Sequence, residues 1–518
     1  MFATADGTCS RLRPHHKAPL LTALPRPLSA QRRRLQRAAT GGLVVLLASE
    51  AASLGLTTST ATGVGVALLL TALAGSVVAW RLWRFLPRWA LGSVVAVHLL
   101  ALTVAPVWSD DIHRYVYEGR AVQDGLRVPY AVAPADGKVY VDDGVKGRVN
   151  HPQVPAAYPP TWQLTGGALA WLGDVVGKPY LPFRVLLLLC DLGIAGWLWR
   201  QGRRRRRGAW LWLLHPLPFV ELAHGAHLDG LGVALLVASV VPWAASTSAW
   251  WRGALCGLGI AVKPVAAAAL FAVAPSMRIR FAAAAALGCG LVVLPFVTAD
   301  APLMSGLSTY GARWEANPTG FALLRQPWRS TFEARADAGV YLHVHVTSSP
   351  FGLLVEEQGT TLMSAGAARM SQRKVLVDDR LVARLFALLL FALGVAWVWW
   401  RLPATSTRAA LVCWLFFAVV PTTHPWYLLW PLALVASSST LRHWSTWSTF
   451  AAAAVAPVTY VTVLRAQQTG VWQEAWWPQW LVVGAFVAPY AWSVLRTRCP
   501  EWLIADSGRG RARLATRE

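Results

Sequence analysis

The stretch WALGSVVAVHLLALTVAPVWSDDIHRYVYEGR, Trp89 to Arg120, is apolar as far as Val107 and then turns abruptly acidic and basic. Its apolar part is close to 20 residues, the length that crosses about 30 Å of hydrocarbon as a helix. Runs of the same kind recur at Gly63 to Trp80, Leu181 to Trp199 and Leu381 to Trp400. Lipid cannot hydrogen-bond backbone N–H and C=O groups, and these runs lack the alternation of barrel strands, so helices are the expected spanning form. A 518-residue chain that is 55% hydrophobic and only 14% charged, with 29 Trp, has too apolar a composition to be solvated by water alone. The expected fold is an all-α polytopic membrane protein with about 12–14 transmembrane helices, counting short limbs.

A formal net charge of +23 raises the question of a nucleic-acid partner. The placement of the charge answers it. Arg32 to Arg34, Arg81 to Arg88, Arg203 to Arg207, Arg278 to Arg280, Arg496 to Arg498 and the Arg509 to Arg517 tail all flank apolar runs, as cytoplasmic helix ends do. Nucleic-acid binders gather charge on one accessible face instead, so no nucleic-acid partner is expected. The cysteines, Cys9, Cys190, Cys256, Cys289, Cys413 and Cys499, fall in apolar segments or predicted cytoplasmic tails, and no disulfide framework is implied.

Placing every basic cluster in the cytoplasm fixes the parity of the crossings. Residues 1–40 form a basic cytoplasmic tail, and 41–107 the first three transmembrane helices, at 41–57, 62–80 and 89–107. Residues 108–180 form a first large outer loop, 181–298 further transmembrane helices, and 299–380 a second large outer region. The C-terminal helices occupy 381–496 and a second basic tail 497–518. Parity requires that Pro160 to Leu172 be a juxtamembrane or half-inserted helix rather than a crossing. Pro264 removes a backbone donor, so two short limbs, 251–262 and 265–275, are expected to meet in a hairpin at Lys263-Pro264. On this topology Ser109-Asp110-Asp111, His224 to Asp229 and His424-Pro425-Trp426-Tyr427 all reach the outer boundary, where they would meet in one cavity.

Each motif has a plain reading beside the chemical one. Asp111 with Arg114, and Arg114 with Glu118, share a helix face and would form ordinary ion pairs; a carboxylate beside apolar wall and a cation is also how a general base is tuned. Lys263 in an apolar hairpin either snorkels or meets an anion. His227 and Asp229 would bind sugar hydroxyls, or a divalent cation if a turn lets residues two apart converge. His424, Trp426 and Tyr427 suit a sugar or a prenyl chain, and Trp and Tyr also serve as interfacial anchors. Gly125, Pro129-Tyr130, Asn150 and Tyr158-Pro159-Pro160 read singly as turns. Asp191, within a span, has no evident partner, since Arg184 lies two helical turns away, about 10 Å.

The order of these motifs resembles the GT-C superfamily of glycosyltransferases, closest to the bacterial polyprenol-phosphate-mannose-dependent mannosyltransferases. The resemblance rests on SDDIHRYVYEGRAVQDGLRVPYAVAP from Ser109, then Asn150, YPPTWQL from Tyr158, His-Leu-Asp at 227–229 and Val262-Lys263-Pro264. It continues through Tyr310 to Asn317 and His424 to Trp430, and so covers most of residues 85–435. Tyr117-Glu118 stand where Trp-Asp is usual, Val128 replaces an Asn, and Arg329 to Asp379 has no counterpart. The resemblance implies transfer of a hexose, mannose foremost, from a polyprenyl-phosphate donor to a glycan or glycolipid acceptor on the extracytoplasmic face. Asp111 or Asp110 would take the acceptor proton: Asp110 is nearest the boundary, and Asp111 has the Asp-x-x-Arg-Tyr spacing of related transferases. Arg114, Arg120 and Lys263 would meet the donor phosphate. Glu118, Tyr158, His227, Asp229, Trp314, Asn317, His424, Trp426 and Tyr427 would contact sugar or acceptor, with a divalent cation as the one cofactor considered. A transporter or flippase for a lipid-linked saccharide is the alternative, although such proteins show paired broken helices in two halves, and only the Lys263-Pro264 break is visible.

Overall fold

Helices in hydrocarbon are not driven together by expelled water, so close backbone approach at small residues supplies much of the attraction. The structure is a computed structural model and describes residues 26–55, 66–106, 108–242, 247–297, 303, 305–337, 354–357, 374–377, 379–438, 444–469, 471, 473 and 475–498. It is an all-α membrane protein. Among the described residues, five helices are long and apolar enough to cross a bilayer: Leu181–Arg200, Pro275–Phe296, Arg380–Arg401, Trp444–Ala466 and Trp476–Leu495. Four shorter apolar helices, Ala90–Ala101, Asp229–Val240, Ser406–Val419 and Pro425–Ala436, pack among them. Leu385, Leu388, Leu389, Leu393 and Trp400 on one long helix are exposed to what would be lipid.

Small residues set the tightest contacts. Gly253 lies against the Phe281 carbonyl and Gly257 against that of Ala285, so Ala249–Ile260 and Arg278–Val293 meet along a Gly-x-x-x-Gly face that no Cβ would fit. The Lys263-Pro264 hairpin is present, but its second limb, Pro264–Phe271, is a 3-10 helix.

Several boundaries differ from the expectation. The first helix begins at Arg26, well before residue 41. Residues 28–40 are good helix formers, and the exposed Arg32, Arg33, Arg34 and Arg37 let the helix continue into water. Within the region 181–298, residues 203–224 do not form one continuous helix but Arg203–Leu213, a break at His215-Pro216, and a single wide π turn over Phe219–His224. His215 accepts from Leu217 N at 3.1 Å, satisfying the backbone that Pro216 and Pro218 interrupt. Within the second large region, Leu354–Glu357 pairs antiparallel with Lys374–Val377, a small ribbon not anticipated from the sequence. The expected tail 497–518 lies almost wholly outside the described residues, as do residues 1–25 of the other expected tail.

The partner of Asp191 is found on other helices. His98 Nδ1 lies 2.7 Å from Asp191 Oδ2, and Trp212 donates Nε1–H to Oδ1 at 2.7 Å. Arg184 instead donates to the carbonyls of Ala101 and Leu102, capping the helix Ala90–Ala101. His224 Nε2 is 3.2 Å from the Ala105 carbonyl. These contacts fix the chain where it leaves the helix, a few residues before the two aspartates.

Candidate active site

The helix Ala90–Ala101 has ended before Pro106, and Ser109 Oγ accepts the Asp111 N–H at 3.3 Å as a new helix, Asp111–Asp124, begins. Asp110 holds the N-cap position and Asp111 the first turn, where exposed N–H groups favour negative charge. Asn150 Nδ2 bridges the two, 2.8 Å from Asp110 Oδ1 and 2.7 Å from Asp111 Oδ1. On the other side, Tyr115 and Tyr158 donate to Asp111 Oδ2 at 3.4 and 3.3 Å. Burial, then the charge of Asp111, pushes the Tyr158 phenol well above its usual value, so it remains a donor. The surrounding protein, then Asp111, raises the Asp110 carboxyl, and Asn150 offsets part of that. The Asp111 side chain keeps 15% of its surface accessible. It is positioned and still reachable.

Arg114 organises the loop that delivers Asn150. Its guanidinium donates to Asn150 Oδ1 at 3.0 Å and to the carbonyls of Asn150, His151 and Val154 at 2.6, 2.7 and 3.1 Å. It also pairs with Glu118 at 2.9 Å, and Gln163 donates to the other Glu118 oxygen at 2.7 Å. Burial pushes the Glu118 carboxyl up while Arg114 pulls it down. Arg120 is paired with Asp143 at 2.7 Å and Asp174 at 2.6 Å. The structure therefore places Arg114, Glu118 and Arg120 in the frame of the first loop, with their charges already matched.

The helix Pro160–Val175 packs on Asp111–Asp124 where Gly119 and Gly166 touch. Its first turn reaches the hairpin: Thr161 N–H donates to the Ala261 carbonyl at 2.9 Å. Lys263 is thereby held beside the aspartates. Its Nζ bonds Asp229 at 2.9 and 3.1 Å and sits 3.6 Å from the centre of the Tyr427 ring. Trp430 Nε1 donates to Asp229 at 2.6 Å.

The three motifs do converge. His227 Nδ1 is 3.8 Å from Asp111 Oδ2, and the His227 ring stacks on Trp426 with centroids 3.9 Å apart. Trp426 stacks in turn on His424, centroids 4.2 Å apart and planes 7° off parallel. His424 Nε2 and the Tyr427 hydroxyl each lie 3.2 Å from the Tyr310 hydroxyl. Tyr310 stacks on Trp314, which meets His151 edge-on at 4.6 Å. The 314–317 segment is tied to the approach of His424 through Thr422 Oγ1 to the Trp314 carbonyl, 3.0 Å, and Thr423 N–H to that of Ala316, 2.8 Å. Asn317 follows in a left-handed conformation, φ 50°. Among the described residues no group of three or more His, Cys, Asp or Glu is placed to hold a metal ion. His227 and Asp229 do not converge on a common point, because Asp229 turns to Lys263 and Trp430.

An apolar cavity of about 730 Å³ opens beside this cluster. Asn317, Thr423 and His424 line its polar end; Trp397, Trp414 and Phe486 are among the walls that lead away from it. Two side chains in the cluster went unremarked in the sequence, Glu221 and Tyr460, whose carboxylate and hydroxyl meet at 2.8 Å. Glu221 carried a signal, an acid inside an apolar run; Tyr460 carried none.

Residues 30–279 match the family described as Alpha-(1->6)-mannopyranosyltransferase, N-terminal domain. The chain is also similar to Alpha-(1->6)-mannopyranosyltransferase A of Mycobacterium tuberculosis, 28% identical over 408 residues, which span 74% of this chain and 71% of the relative. No solved structure matches.

Proposed function

We infer that this chain, whose residues 30–279 match the alpha-(1->6)-mannopyranosyltransferase N-terminal domain, is a GT-C membrane glycosyltransferase that moves mannose from a polyprenyl-phosphate donor to an acceptor hydroxyl on a glycan or glycolipid at the extracytoplasmic face. The observation that carries this reading is the Asp111 carboxylate. It is held by Asn150, Tyr115 and Tyr158, remains accessible, and stands among three motifs that also supply stacked aromatic rings, with Lys263 of the hairpin bound to Asp229 of one of them.

Asp111 takes the proton of the acceptor hydroxyl as its oxygen attacks the sugar C1 from the face opposite the phosphate, which departs with the bonding electron pair and inverts the centre. General-base help of this kind contributes about 10²–10⁴-fold. Negative charge grows on the departing phosphate, and Lys263 is the cation beside the site; a phosphate oxygen would share it with Asp229. Trp426 is covered on both faces by His227 and His424, so His424 and Trp314 are the rings that can offer aromatic surface to a sugar. The apolar cavity that ends at His424 suits a prenyl chain, so the donor would stay dissolved in hydrocarbon while its head reaches the polar cluster.

Purified protein in liposomes, given radiolabelled polyprenyl-phosphate mannose and a cell-envelope glycolipid extract, tests the activity. Labelled acceptor is expected; movement of intact donor across the bilayer without product would point to a flippase. Sidedness is read on Val139→Cys, an exposed loop position, with an impermeant maleimide on intact cells. Labelling is expected without permeabilisation.

A further inference from the structure

Behind Asp111, on the side away from solvent, lies a buried set of polar groups that the transfer step as described does not use. His227 and Glu221 are fully buried and Tyr460 nearly so. Glu221 Oε2 lies 3.2 Å from His227 Nε2 and accepts the Tyr460 hydroxyl at 2.8 Å; that hydroxyl oxygen is also 3.2 Å from Nε2. Two acceptor oxygens therefore face one ring nitrogen, and the tautomer that satisfies them carries its proton on Nε2. Nδ1 is then a bare lone pair. It has no hydrogen-bond partner, and it looks at Asp111 Oδ2 from 3.8 Å.

The local backbone is built to hold this arrangement. Glu221 and His224 sit in a single π turn, a rare element that recurs at functional sites. Ala226 takes φ 56°, a conformation costly for a residue with a side chain. The His227 N–H closes onto the Glu221 carbonyl at 2.9 Å, and the ring is clamped flat against Trp426.

We propose that His227, with its tautomer fixed by Glu221 and Tyr460, is the positioning partner that stabilises Asp111 after it has taken the acceptor proton. An ionised Asp111 gains nothing from a lone pair; a protonated one can donate its new O–H to Nδ1. The contact strengthens as the proton arrives, which is the differential stabilisation that accelerates a step. Closing 3.8 Å to hydrogen-bond distance takes about 1 Å of side-chain movement, and such contacts are commonly long before substrate binds. The balance is complete: the acceptor O–H breaks and its proton forms the Asp111 O–H, C1 exchanges its phosphate oxygen for the acceptor oxygen, and the phosphate keeps the electron pair. The proton passes to water when the product leaves.

This proposal rests on the reading of Asp111 as the base. The titratable groups facing the ring are Asp111, Glu221 and Tyr460, with the Lys263–Asp229 pair nearby and His424 beyond Trp426. The test is steady-state kinetics in proteoliposomes across the pH range for wild type, Glu221→Gln, His227→Phe and Asp111→Asn, each checked for monodisperse elution. Glu221→Gln should lower kcat roughly ten- to hundredfold with KM for both substrates unchanged. Loosening the hold on the His227 tautomer should also shift the acid limb of the kcat profile to lower pH. His227→Phe, which removes the acceptor itself and keeps a ring against Trp426, should do the same and serves if Glu221→Gln does not fold. A purely structural role would lower the active fraction and leave that limb in place. The proposal is overturned if both folded variants keep the wild-type kcat, or lose it without moving the limb, while Asp111→Asn is inactive. Full turnover by Asp111→Asn would instead remove the base reading itself.

Discussion

Asn150 donates its amide to Asp111 Oδ1 at 2.7 Å, across a separation of 39 residues, and the same nitrogen reaches Asp110 at 2.8 Å. Two carboxylates adjacent in sequence repel each other, and one neutral donor shared between them reduces that cost while fixing where each lone pair points. Asn150→Ala should lower kcat about tenfold or more, because a misplaced base loses near-attack geometry. Asn150→Asp should be worse, since it replaces the donor with a third negative charge. Kinetics with saturating donor and acceptor check both.

Lys263 and Asp229 form a largely buried pair whose breaking leaves one charge stranded. Lys263→Met should raise the donor KM and cost stability, up to about 3 kcal/mol given that the lysine is partly accessible. The double variant Lys263→Met/Asp229→Asn should recover the stability and not the donor affinity. Thermal unfolding in detergent beside donor titration separates the two effects.

The Asp110 carboxyl is raised above its ordinary 3.8 by the surrounding protein and by Asp111. A carboxyl raised on folding favours the folded state while protonated, and that contribution is lost as pH rises through the folded value. Asp110→Asn removes the loss. Its melting temperature should exceed that of wild type at neutral pH, and the gap should close as pH falls toward 3.8. An equal gap at every pH would contradict the assignment.

Much of this architecture is legible in the chain. The apolar runs, the Lys263-Pro264 break and the Pro160 helix follow from hydropathy and from proline's missing donor, both of which are local properties. The meeting of Asp111, His227 and Trp426 was expected from crossing parity, a longer-range inference with the same physical basis. Pairings between helices were not legible. Asp191 finds His98, 93 residues away, and Tyr460 finds Glu221, 239 residues away, and no spacing rule connects residues on different helices. Arg114 and Arg120 read as phosphate contacts because a departing phosphate needs cations at the lipid boundary. Their partners, the Asn150 loop for Arg114 and Asp143 and Asp174 for Arg120, are supplied by the fold of the loop.

His98→Ala should leave Asp191 with Trp212 alone and destabilise the protein by roughly 1–3 kcal/mol. The kcat of the protein that remains folded should be close to wild type. Unfolding midpoints and activity per folded molecule test this together.

The cavity makes a prediction about chain length. Val483 lines it, and Val483→Trp would fill part of it. The donor KM should rise for long prenyl chains and stay unchanged for a short soluble analogue, as measured in parallel titrations.

The account turns on Asp111 as the group that removes the acceptor proton. The most direct measurement is single-turnover transfer of labelled mannose from polyprenyl-phosphate mannose to acceptor by wild type and Asp111→Asn in proteoliposomes, with donor binding measured on the same samples. The predicted result is a rate reduced by about 10²–10⁴-fold with donor binding retained. A wild-type rate in Asp111→Asn, with the protein folded and donor bound, would contradict it.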